Sequence, residues 1–241
     1  MKESGPYLPG SVWTYLDAFG LFVAGLFGSL VAIALGVAVN GGEELADVPL
    51  LITSSLGQAV VLAAILMYMS RSRGTDSWEL DFGWRFESSD WLGLVFGMAL
   101  QLGVTIFVLL PLAWLLQIDD PPQQDVADIA AGVSSIGGRI AILLILVVVA
   151  PVSEELLYRG VLLGRLRRSY SAHTSVVVSA AIFSAIHLID PNAAFVVPGL
   201  FVIGLVLGYQ ALKTGRIGLS IMTHAGVNLL AAIALLLGLD V

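Results

Sequence analysis

Long apolar stretches separated by short polar breaks set the pattern of this chain. Seven are long enough to cross roughly 30 Å of hydrocarbon: residues 18–39, 50–69, 91–118, 140–166, 174–189, 194–212 and 217–239. The fifth is short, which local bilayer thinning or a wet cavity accommodates. In lipid each must be an α-helix, because any other open segment leaves backbone N–H and C=O groups without partners. The pattern therefore predicts an all-α, polytopic transmembrane bundle of about seven helices.

Composition agrees: of 241 residues, 58% are hydrophobic and 12% charged, against about 25% charged in a soluble domain. The charges also give a direction. Lys2, then Arg71, Arg73 and Arg85, then Arg165, Arg167 and Arg168, then Lys213 and Arg216 fall at the N-terminus and in alternate loops. The intervening loops, 40–49 and 119–139, hold Glu43, Glu44, Asp47, Asp119, Asp120, Asp125 and Asp128 against Arg139. Basic loops stay cytoplasmic, so the N-terminus is expected inside, in the plasma membrane of a prokaryotic cell. The stretch before residue 18 has no basic run beyond Lys2, and the first span is expected to be a retained anchor rather than a cleaved signal.

A net charge of -7 excludes nucleic acid as a partner, since phosphate neutralisation needs basic clusters. The Arg165–Arg168 patch reads as contact with anionic lipid. With no cysteine, disulfides, thiolate metal sites and cysteine nucleophiles are all removed.

Three parts follow: residues 1–120, an accessory set of N-terminal helices; 121–139, an acidic extracytoplasmic loop opening on Pro121 and Pro122; and 140–241, a four-helix core that carries the polar residues of interest. Gly204 and Gly208, four apart in the sixth span, offer a small-residue face for another helix.

Ionisable groups at bilayer depth are expensive and mark functional interiors. Glu154 and Glu155 end the apolar run 140–152. Glu155 and Arg159 are i and i+4, a spacing at which opposite charges pair; Glu154 is rotated by about 100° and left to face a cavity. Phe183 with His187, and His224 with Asn228, repeat the i, i+4 relation on two later helices, so each pair shares a face. Counted inward from Arg168 and from His173, Glu154 and His187 lie at one depth, about 21 Å at the helical rise.

These residues form three motifs: Glu154-Glu155 to Arg159 as E-E-x-x-x-R, Phe183 to His187 as F-x-x-x-H, and His224 to Asn228 as H-x-x-x-N. Taken in this order on separate helices, they resemble the CPBP family of intramembrane proteases, which includes CAAX prenyl endopeptidases and bacteriocin-processing or self-immunity proteins. The resemblance implies peptide-bond hydrolysis within the membrane, a peptide or lipidated protein as substrate, Glu154, His187, His224 and Asn228 as active-site residues, and Glu155, Arg159 and Phe183 in support.

The chemistry is consistent with that implication. Amide hydrolysis needs an activated water and a stabiliser for the oxyanion. Glu154 and His187 suit the general-base pair, and His224 with Asn228 can donate to the oxyanion. The alternative is one divalent metal such as zinc on His187, His224 and Glu154, a two-histidine, one-carboxylate set. No cofactor is favoured, because Asn228 is a poor zinc ligand and a good oxyanion donor. There is no H-E-x-x-H helix, the Gly218-Leu219-Ser220 run does not continue as a nucleophile elbow, and no aspartate lies within the seven spans. Two non-enzymatic readings stand beside the protease: a membrane scaffold or bacteriocin-immunity protein that acts by binding, and a small proton-coupled transporter, for which buried glutamates and histidines would form a relay.

Overall fold

The computed structural model describes residues 12–118, 133 and 135–237. The first eleven residues, most of the acidic loop and the last residues of the seventh expected span lie outside them. Among the described residues there are only helices and their connections. The helices are α1 (Tyr15–Val39), α2 (Asp47–Arg73), a short α3 (Trp78–Phe82), α4 (Ser88–Leu116), α5 (Ile136–Arg167), α6 (Ala172–Ile189), α7 (Val197–Thr214) and α8 (Gly218–Leu237). Six of them are long and apolar enough to cross a membrane, and α8 supplies a further apolar helix. The chain is an integral, multi-pass membrane protein.

Local chemistry explains several boundaries. Thr14 and Asp17 form a reciprocal cap at the start of α1, Thr14 N donating to Asp17 Oδ2 at 2.7 Å and Asp17 N to Thr14 Oγ1 at 3.2 Å. Such a box satisfies two of the donors that a helix start leaves free. Asp17 also takes Arg73 at the end of α2, 2.5 Å away, which ties the ends of the α1–α2 hairpin. Wide π-turns at Thr105–Leu109 and Ile145–Val149 precede Pro111 and Pro151. A proline ring collides with the carbonyl four residues back, and widening the turn relieves that collision. The third π segment, Leu156–Leu163, has no proline and is buried at every residue.

Helices meet where side chains are smallest, because in lipid close backbone packing replaces the hydrophobic drive. α4 and α8 make the most extensive contact of the bundle. A Cβ on Gly97 would stand 2.0 Å from the Thr223 carbonyl, and one on Gly226 would stand 2.1 Å from that of Leu94. Gly204 and Gly208 lie against Ala180 and Val176 of α6, as a small-residue face should. The third expected span thus packs closely against α8.

The connection from α2 to α4 straps the end of the bundle. Phe82 is buried between Trp13, stacked at 5.5 Å, and Gly160. Gly83, in the left-handed region at φ 72°, turns its carbonyl to accept Ile217 N at 2.9 Å. Arg216, expected as a loop charge, is buried between Asp90 and Glu87. These bonds fix the start of α8 against the start of α4, and α8 carries His224.

Candidate active site

Glu155 is fully buried, and Arg159 one turn on donates Nη1 to its Oε1 at 2.7 Å. Arg159 Nη2 donates to the Gly204 carbonyl of α7 at 3.1 Å. His224 arrives from α8 and donates Nδ1 to the same Glu155 Oε1 at 3.1 Å. A carboxylate only accepts, so this bond assigns a proton to Nδ1. The other ring nitrogen, Nε2, then lies 3.7 Å from Glu154 Oε2. Two adjacent carboxylates, one guanidinium and one imidazole therefore form a single cluster drawn from two helices, with α7 bonded to its guanidinium.

The two glutamates differ in access. Glu155 is sealed, whereas Glu154 keeps 28% of its side chain exposed. Glu154 Oε2 and Glu155 Oε2 accept no hydrogen bond from protein groups, and Arg159 Nε donates none. Buried polar atoms are rarely left so, and around Glu154 they mark where water or a polar ligand is needed.

His187 sits where α6 tightens from an α-helix into a final 3₁₀ turn. Its Nδ1 donates to the Phe183 carbonyl at 2.9 Å, which leaves Nε2 with the lone pair. Its ring meets Phe183 at 5.2 Å, and Phe183 meets His224 at 5.7 Å. The two histidines thus flank one phenyl ring, and the carboxylates lie on the His224 side. The sequence pairs Glu154 with His187; the imidazole the fold sets directly beside Glu154 is that of His224. Asn228 Nδ2 donates to the Leu146 carbonyl of α5 at 2.8 Å. That carbonyl lies in the π-turn at Ile145–Val149, so Asn228 and His224 both tie α8 to α5.

A metal on His187, His224 and Glu154 would need three donors converging on one point. Among the described residues no three His, Cys, Asp or Glu side chains gather closely enough to hold an ion. His224 reaches the glutamates, and His187 bonds the Phe183 carbonyl of its own helix through Nδ1, leaving Nε2 free.

Some relevant residues lie outside the three motifs. Tyr158 is buried with its ring edge-on to Phe183 at 5.3 Å. Asp81 is buried on Ser70 Oγ and on the Thr75 backbone and hydroxyl, while Trp13 Nε1 donates to its backbone carbonyl. Their residue types gave no sign of this; only the aromatic next to Arg159 carried a local hint, its position one residue before a paired charge.

No curated protein and no solved structure matches the chain. A family does. Residues 136–230, which span α5 to α8 as far as Leu230 and include every residue of the three motifs, match the Rce1-like family, described as type II CAAX prenyl endopeptidase Rce1-like, in agreement with the CPBP resemblance.

Proposed function

We propose that this chain is an intramembrane endopeptidase of the type II CAAX kind, cleaving a peptide bond near the C-terminus of a prenylated or otherwise membrane-held protein or peptide. The observation that carries the reading is the contrast between adjacent carboxylates: Glu155 is sealed and bonded through Oε1 to both Arg159 and His224, while Glu154 keeps 28% of its side chain exposed. A sealed, ion-paired carboxylate organises a site, and a more accessible one beside it can take a proton.

Glu154 is the general base, accepting a proton from water as its oxygen attacks the amide carbon. His187 assists through Nε2, which its bond to the Phe183 carbonyl leaves unprotonated. His224 has a carboxylate at each nitrogen, an environment for a ring that donates from both, and its Nε2–H stabilises the oxyanion. Asn228 has two amide hydrogens; one holds the Leu146 carbonyl and the second serves the oxyanion. When the carbon–nitrogen bond breaks, the proton on Glu154 passes to the leaving amine, giving a new carboxylate and a shortened peptide. The cost of placing such groups in a membrane is met by their mutual pairing, and a proton relay or a binding scaffold has no need of the open glutamate next to a sealed one.

The purified protein in vesicles, given a farnesylated peptide with a free C-terminus, should release a short C-terminal fragment detectable by mass spectrometry. Glu154→Gln should lose about 100- to 10,000-fold in rate while melting as the native protein does. Near-native cleavage by that variant would overturn the assignment. Exhaustive dialysis against a strong chelator should leave the rate unchanged; loss of activity that added zinc restores would install a metal in place of the metal-free route.

A further inference from the structure

Phe183 is 1% exposed and lies against both histidines of the site and the Arg159 guanidinium. Three rings meet it nearly at right angles: Tyr158 at 5.3 Å and 85°, His187 at 5.2 Å and 69°, and His224 at 5.7 Å and 85°. Edge-to-face pairs of this kind have a preferred geometry because the ring face is negative and the edge positive. The Arg159 guanidinium carbon lies 4.7 Å from the ring centroid, well inside the range of a cation–π contact. The backbone takes part as well, since the Phe183 carbonyl accepts His187 Nδ1. Gly204 closes the far side: a Cβ there would stand 3.2 Å from Phe183 Cδ1, and the carbonyl of that same glycine holds Arg159 Nη2.

We infer that Phe183 is a positioning residue that couples the two halves of the site, setting His187 on one side and the His224–Glu155–Arg159 network on the other through the face and edges of one ring. The inference deepens the endopeptidase reading and rests on it for its kinetic consequence. An aliphatic side chain of similar volume fills the space but supplies neither a negative face for the guanidinium nor a ring against which two imidazoles can be oriented. Phe183 touches no reacting atom, so its loss acts on turnover through misplacement of the histidines.

Two kinds of variant test this. Phe183→Leu should lower kcat by about 10- to 100-fold, the cost of displacing catalytic groups by about an ångström, with KM nearly unchanged. Replacing Phe183 by phenylalanines bearing one, two and three fluorines keeps the shape and weakens the ring face stepwise. From the usual range of cation–π energies, kcat should fall progressively, by about 3- to 30-fold at three fluorines. A side chain that merely packs would not register that series.

The second readout needs no activity. The chain has three histidines, so their ring resonances can be followed by NMR in nanodiscs. Phe183→Leu should move the signals of His187 and His224 and leave His173, which pairs with Tyr209, in place. If the native protein cleaves no peptide while those two signals still move together, the protease reading falls and the coupling stands. If His187 and His224 keep their native shifts in Phe183→Leu, or the three-fluorine variant turns over at the native rate, the coupling falls and the protease reading stands.

Discussion

In the most hydrophobic stretch of α1, 11% of residues are buried inside the protein; in that of α5 the figure is 39%, although the two helices are equally apolar in composition. α1 shows Phe19, Phe27, Leu30 and Leu35 to its surroundings and packs mainly on α2. α5 buries eight consecutive residues in its π segment and meets α1, α2, α6, α7 and α8. Hydropathy separates membrane from water, but within the membrane it does not separate lipid from protein, because a leucine is equally at home in both. What distinguishes the protein-facing helix is its exceptions: the glutamates, the arginine and the glycine that admits Phe82. The difference between the regions is that α5 is held by polar partners drawn from several helices, and α1 by its hairpin with α2 and one apolar edge against the π segment of α5.

The largest loss should come from removing a partner of α5. Arg159→Ala leaves Glu155 as a buried charge with only His224 to answer it, and breaking a buried pair costs roughly 3–5 kcal/mol. The variant should accumulate poorly and unfold far below the native protein in a detergent melt. Changing Glu155 to Gln as well removes the stranded charge and should return part of the loss. Native stability in Arg159→Ala alone would mean that the pair does not organise α5.

A smaller effect is expected at the α4–α8 contact. The side chain of Gly97→Val would begin 2.0 Å from the Thr223 carbonyl, a backbone atom that cannot swing aside. α4 and α8 must separate, at a cost of about 1–3 kcal/mol for overpacking, and His224, the residue after Thr223, moves with them. Activity and melting temperature should fall together. Gly103→Ala, farther along α4 with nothing within 4 Å of a Cβ, serves as the control and should be neutral or slightly stabilising. Equal losses at both positions would show that helix propensity, not contact with α8, is being measured.

The same contact shows why only part of the site was legible in the sequence. Helices were readable because lipid permits nothing else to an apolar run of that length. The Glu155–Arg159 bond was readable because both residues ride on one helix at a pairing interval. His224 reaching Glu155 was not, since they stand on α8 and α5 and their register is fixed by Gly97, Gly226 and the Arg216–Asp90 clamp rather than by local spacing. Nor could equal depth say that His224 lies beside Glu154, because depth says nothing of rotation about the helix axis. Arg216 read as a loop cation for a related reason: a charge beside a span has the same appearance in sequence whether it meets headgroups or a buried aspartate. The π-turns were half visible, through Pro111 and Pro151, while the one at Leu156–Leu163 has no such marker.

The smallest effect belongs to the outward face of α1. Leu30 is 64% exposed, and truncation to alanine exchanges lipid contacts for lipid contacts without opening a cavity. Substitutions away from packed features usually stay within about 0.5 kcal/mol, so Leu30→Ala should melt with the native protein and cleave at the native rate. Leu30 faces away from the rest of the chain, and a second copy packed there would change the result. A loss of more than 1 kcal/mol, growing steeper as the protein is diluted into more detergent, would therefore show that α1 is held by a protein partner after all. It would place α1 beside α5 as a helix with a specific contact and remove the distinction drawn between them.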